Sequence, residues 1–135
     1  MLDATASGTY GTLHETLTHQ LDADADYLAW LTGGEYVPLA GPTEPAALRR
    51  YAERAREGWR VYLASAPDHE REVVKGDRAA PAWLLVVQAV HHANEHRAHV
   101  GTILGANGLP PPDVDVWAYG QAQGAFDSAV CESRG

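Results

Sequence analysis

The chain is predicted to be all-α. Three observations carry that prediction: apolar residues recur at helical spacing over three long stretches, a helix-start signature precedes the first, and glycine or proline stops the last two as well as the first. Its 135 residues make one domain, long enough to bury a core without staples.

The first helix opens at Thr12-Leu13-His14-Glu15, where the Thr12 hydroxyl can accept from the Glu15 amide while the Glu15 carboxylate reaches back. It should run to about Leu31 and stop at Thr32-Gly33-Gly34. Leu13, Leu17, Leu21, Leu28 and Leu31 form one stripe along it. His19 lies nearly opposite, on the side of Ala23 and Trp30, so a functional role for it requires the helix to be buried on two sides.

A proline-bearing loop, Val37 to Pro42, leads to Thr43-Glu44-Pro45, a helix start with proline in the first turn. The second helix is predicted over about Glu44 to Ala64. Leu48, Tyr51, Ala52, Ala55, Trp59 and Tyr62 make its apolar face, and Pro67-Asp68 ends it. Residues 69–80 are polar, with Arg71 to Asp77 a turn or a short hairpin. The third helix is predicted from around Pro81 to about Gly105, ending at Gly105-Ala106-Asn107-Gly108. Its first half, Trp83 to Val87, is apolar all round, the pattern of a helix buried among neighbours. Leu85, Ala89, His92, His96, His99 and Ile103 share one stripe. Leu109 to Pro112 cannot continue a helix and should cross the bundle as an extended strap. Trp117 and Tyr119 are then expected to pack back in a short helix, and Ser128 to Gly135 to fray.

Composition narrows the function classes. A hydrophobic fraction of 45% with four tryptophans argues for a compact globule. A net charge of -8 without a basic stripe argues against nucleic acid. The lone cysteine, Cys131, excludes an internal disulfide or a cysteine zinc cluster, and is read as a free surface thiol. No secretory signal is visible at Met1-Leu2-Asp3-Ala4, and the longest apolar run falls short of the ~18 residues a membrane span needs. A cytoplasmic protein without a membrane partner is the expectation.

The histidines carry the chemistry. His92 and His96 stand four apart on one helical face, with Cβ atoms roughly 5–6 Å apart, so they can share one metal ion. His19 could supply a third nitrogen. Three imidazoles leave a metal with open positions, as a catalytic site needs. Such a pair also occurs as partly exposed histidines with ordinary hydrogen bonds, so spacing alone leaves both readings open. His99 lies about 10.5 Å from His92 along the helix and should line the cavity rather than ligate. His14 and His69 are expected at the surface, His91 in a structural or solvent-facing place, and Glu95 in solvent or behind an imidazole. Arg97 is expected to pair with Asp113 or Asp115, and Trp30, Trp59 and Trp83 to be core residues. No general acid or base can be named, and no Ser-His-Asp order or phosphate loop stands out.

Gly8-Thr9-Tyr10-Gly11-Thr12-Leu13, the helix with central His19, His92-x-x-x-His96-Arg97 and Gly108-Leu109-Pro110-Pro111-Pro112-Asp113 follow one another in that order. Together they resemble the DinB/YfiT-like family of metal-binding four-helix bundles, itself similar to bacillithiol transferases and to the metal-binding domain of mycothiol-dependent maleylpyruvate isomerase. The resemblance covers residues 8–119 of a single domain, 1–135. It implies His19, His92 and His96 as ligands of a divalent ion, commonly zinc or nickel, and often a homodimer. It further implies that the ion activates a low-molecular-weight thiol, so that a small molecule undergoes S-transfer or isomerisation, with hydrolysis also open. The family's first helix has no counterpart before Gly8. The bundle is therefore expected to lack one helix, with a second copy covering the vacant side through the first helix seen here. His99 departs from the glutamine that relatives often carry. The alternative reading is a non-catalytic metal or small-ligand binding protein, or a degenerate bundle acting through oligomerisation.

Overall fold

A computed structural model describes residues 1–39 and 44–125. Its elements in order are α1 (Leu13–Thr32), α2 (Pro45–Ala64), β1 (Glu72–Lys75), β2 (Arg78–Pro81), α3 (Ala82–Ala106) and α4 (Val116–Ala122). Apart from one two-stranded hairpin, the regular structure among the described residues is helical, as the periodicity predicts.

α1 starts with the reciprocal cap: Glu15 N–H donates to Thr12 Oγ1 at 3.1 Å, and Thr12 N–H donates to Glu15 Oε2 at 2.8 Å. Two amides that the helix start leaves without partners are thereby satisfied. At the other end Gly33 sits at φ 67°, a left-handed conformation that a Cβ would strain, and its N–H returns to Ala29 O. Arg71 Nη2 donates to Leu31 O, so a side chain from the hairpin closes one of the last open carbonyls.

α1 is the middle helix, packed against α3 on one flank and α2 on the other. Every residue from Leu17 to Trp30 is accordingly half-buried, with Leu13, Thr16 and Leu31 fully inside. The side away from the leucine stripe is covered too, which is the condition His19 needed. α2 places Pro45 in its first turn, where a missing N–H costs nothing. It comes close to α1 at Gly58, where an added Cβ would stand 2.4 Å from Leu28 Cδ2.

The polar stretch after α2 forms an antiparallel hairpin in the register Val73↔Ala80 and Val74↔Ala79. Alternation along the strand sends Val73 into the core and Val74 to solvent. Val73 joins Leu31, Tyr62, Ala82 and Leu85 in the main apolar cluster. Lys75 pairs with Asp26 and lies over the rings of Trp30 and Tyr36, at 5.8 and 5.5 Å from their centroids, fastening the hairpin to α1.

α3 presents Leu85, Ala89, Ala93, His96 and Ile103 as its buried stripe. Three expectations are corrected here. The apolar first half of α3 is covered on one side only: Trp83, Leu84, Val87 and Val90 are 43–57% exposed, so Trp83 is not a core residue. Trp117 and Tyr119 also stay largely exposed, because α4 does not fold them onto the bundle. Arg97 does not meet the strap. Asp113 Oδ1 accepts from Asp115 N–H, and Asp115 Oδ1 caps α4 through Trp117 and Ala118 N–H. Arg97 instead donates to Asn94 Oδ1 and acts electrostatically on Asp24 of α1. Cys131 and the tail from Ser128 lie outside the described residues. Among the described residues no helix is long and apolar enough to cross a membrane.

Candidate metal centre

His19 projects from the middle helix, and His92 and His96 from the adjoining face of α3, one turn apart. The α1–α3 packing brings the three imidazoles together edge to edge. His92 Nε2 lies 3.1 Å from His19 Nε2 and 3.1 Å from His96 Nε2. The ligand-capable nitrogens of all three fall within 4.8 Å of one another. His96 is buried, while His19 and His92 are half-buried.

Hydrogen bonding does not account for this convergence. A ring nitrogen carries either one proton or one lone pair, directed in the ring plane. His92 Nε2 can therefore satisfy one neighbouring nitrogen but not two. A cation satisfies all three lone pairs at once. Two imidazole nitrogens each held at about 2.0–2.1 Å from an ion and separated by 3.1 Å subtend roughly 95–100° there, compatible with three nitrogens on one side of an ion. The donor set thus fits a divalent ion with open positions.

The electrostatics favour the ligating form. Burial lowers the pKa of His92 and of His96 from the usual imidazole value. The neighbouring histidines push the same way, His19 and then His91 on His92, and His92, His19 and His99 on His96, while Glu95 opposes on both. Both shifts favour the neutral ring, the form that ligates a metal. Glu95 itself is exposed and makes no hydrogen bond to an imidazole among the described residues. Behind the ligating edge, Nδ1 of His92 and Nδ1 of His96 are buried with no hydrogen-bond partner among the described residues. Metal-ligating histidines are ordinarily oriented by such a partner, so here ring packing must do more of that work.

The remaining histidines separate cleanly. The His99 ring lies half-buried beside His96, centroids 5.4 Å apart, and outside the ligand cluster. His91 and His69 are exposed, and His14 is half-buried at the edge of a neighbouring cleft.

Two residues at the centre were not singled out from the sequence. The Tyr10 ring stacks on His19 at 4.4 Å and 13°, and meets His96 edge-on at 5.1 Å. Tyr27, two turns beyond His19 on α1, meets His92 edge-on at 5.9 Å. Helical spacing could have found Tyr27. Tyr10 precedes the helix, and only the lead-in motif in which it sits gave any signal.

A cleft of about 610 Å³ adjoins the centre, lined by Tyr10, His14, Thr18, His19, Asp22 and neighbouring residues including Glu15. Its two carboxylates are already engaged. Glu15 closes the α1 cap, and Asp22 accepts from Tyr36 OH at 2.6 Å and Leu39 N–H at 2.8 Å.

No protein-family model matches the chain, and no curated protein matches it.

Proposed function

We propose that the protein is a divalent-metal-dependent enzyme of the DinB/YfiT-like kind, with His19, His92 and His96 as ligands and zinc or nickel as the ion. One observation carries this reading: three Nε2 atoms converge where hydrogen bonding cannot satisfy them and a cation can. Neutral imidazoles suit zinc, nickel, copper and iron alike, so the donor set narrows the metal to that group. A divalent ion there lowers the pKa of a coordinated thiol or water, making a nucleophile available at neutral pH. The chain's own part is to hold three neutral rings in place and to admit a small reactant from the cleft beside His19. With Glu15 and Asp22 both committed to structural hydrogen bonds, the cleft offers no free carboxylate as general base. That fits attack by a nucleophile which ionises at the metal, as in thiol transfer or thiol-dependent isomerisation.

The alternative is a non-catalytic metal or small-ligand binding protein. The enzyme reading is preferred because the cleft reaches His19, which gives a small reactant a way to one edge of the centre. The test is elemental analysis of the purified protein and of His92→Ala, followed by thiol-conjugation assays of the metal-loaded form against electrophilic acceptors. One ion per chain in the wild type, none in the variant, and thiol-dependent turnover that a chelator abolishes is the expected result. Equal metal in both proteins overturns the ligand set. Stoichiometric metal without turnover for any thiol, isomerisation or hydrolysis substrate leaves the binding-protein reading.

A further inference from the structure

We propose that Tyr10 is a positioning residue of the metal centre: its ring, lying flat on His19, holds that imidazole in the ligating orientation. The proposal rests on the metal reading above.

His19 differs from the other two candidate ligands. His92 and His96 are one turn apart on a single helix, so their spacing is set by α3 itself. His19 arrives from another helix, and its ring could rotate about χ1 and χ2 without disturbing any backbone. No hydrogen bond to His19 Nδ1 holds it among the described residues; its contacts are His92 Nε2 and the rings of Tyr10, His92 and His96. Of these rings, Tyr10 alone is near-parallel to it, at 13°, and the two histidines stand at 66° and 76°. A near-parallel ring restricts rotation of its neighbour where an edge contact permits it. Binding a cation through Nε2 makes the imidazole electron-poor, and an electron-rich phenol face then attracts it more strongly.

Tyr10 can do this because its own place is secured. The N-terminal segment folds back onto the start of α1 through Leu13 N–H to Ala4 O at 2.9 Å and His14 N–H to Leu2 O at 3.0 Å. Asn107 at the end of α3 donates to Thr5 O at 3.1 Å. The lead-in is thereby tied to both helices that supply ligands, and Tyr10 spans the gap between them by touching His19 and His96 together.

The experiment titrates cobalt(II), a spectroscopic stand-in for zinc, into wild type, Tyr10→Phe, Tyr10→Leu and Tyr10→Ala. It reads affinity and the ligand-field absorption spectrum, with helicity checked by circular dichroism. An aromatic pair is worth a few-fold to about tenfold in an equilibrium constant. Tyr10→Leu and Tyr10→Ala are therefore expected to bind cobalt about 3- to 10-fold more weakly, with an altered spectrum, while Tyr10→Phe stays within about twofold of wild type. In a His19→Ala background, Tyr10→Leu should have no further effect, which a general loss of fold would not produce. Wild-type affinity and spectrum in Tyr10→Leu overturn the proposal and leave the metal site standing. So does a Tyr10→Phe defect as large as that of Tyr10→Leu, because the hydroxyl rather than the ring would then matter. Failure of the wild type to bind cobalt overturns the metal reading and this proposal with it.

Discussion

Replacing His92 by alanine should cost little stability without metal and much more with it. His92 is the hub of the cluster, its Nε2 standing 3.1 Å from both other ring nitrogens. In the metal-free protein the substitution removes a half-buried ring, costing about 0.5–1.5 kcal/mol of packing. It also removes the atom at which two neighbouring nitrogens crowd, so the net loss should lie at the low end of that range. With metal the balance changes. An ion that binds only the folded state adds about 4.1 kcal/mol when present at 1,000 times its dissociation constant. For a chain of this size that raises the melting temperature by roughly 12–20 °C. Without His92 the two remaining ligands come from different helices, so most of this gain should vanish. Differential scanning calorimetry of both proteins, each with chelator and with excess zinc or nickel, measures all four states. A metal-induced shift as large in His92→Ala as in the wild type would refute the reasoning, as would a wild-type shift of zero with either ion.

The other predictions concern pH, helix capping and assembly. Burial pushes the Asp24 carboxyl up from 3.8 to about 6, against the opposing pull of Arg97 and a Gln20 hydrogen bond. Between those values the folded state binds more protons than the unfolded one, so this group's contribution to stability falls as pH rises and stays unfavourable above about pH 6. Asp24→Asn should therefore stabilise the protein by about 1–2 kcal/mol at pH 7.5, after discounting for partial exposure, and by nothing near pH 3.5; equal effects at both pH values in urea melts would contradict this. Thr12→Ala removes the side-chain half of the α1 cap and should cost about 0.5–2 kcal/mol, read from the same melts, with no cost if the cap is ornamental. α1 is covered by α2 and α3 on its two flanks, so the association expected through the first helix moves to Leu63, Val87 and Val90, each more than half exposed on α2 and α3. Light scattering should show a dimer that Val90→Glu dissociates, whereas a wild-type monomer at tens of micromolar would end that expectation.

The sequence by itself determined what depends on neighbours along the chain. Helix starts and stops follow from local satisfaction of backbone groups, which is why the Thr12–Glu15 cap and the Gly33 terminus were legible within one turn. The His92–His96 spacing was legible for the same reason, since a helix fixes which residues four apart share a face. His19 was readable as a possible third ligand, but its own helix places it opposite the leucine stripe, so the sequence left open whether that side is covered. Only the tertiary structure decided that α1 is the middle helix, half-buried along its length, so that both of its sides meet a partner. Tyr10 depends on a fold-back of the N-terminal segment that no periodicity encodes. Arg97 went to the Asp24 side because the strap's aspartates were already used by a turn and a cap, a competition that is settled by where the backbone amides lie. Trp83 and Val87 show the same limit from the other side: an apolar residue on a helix asks for cover, but which of its faces receives it depends on how many helices pack there.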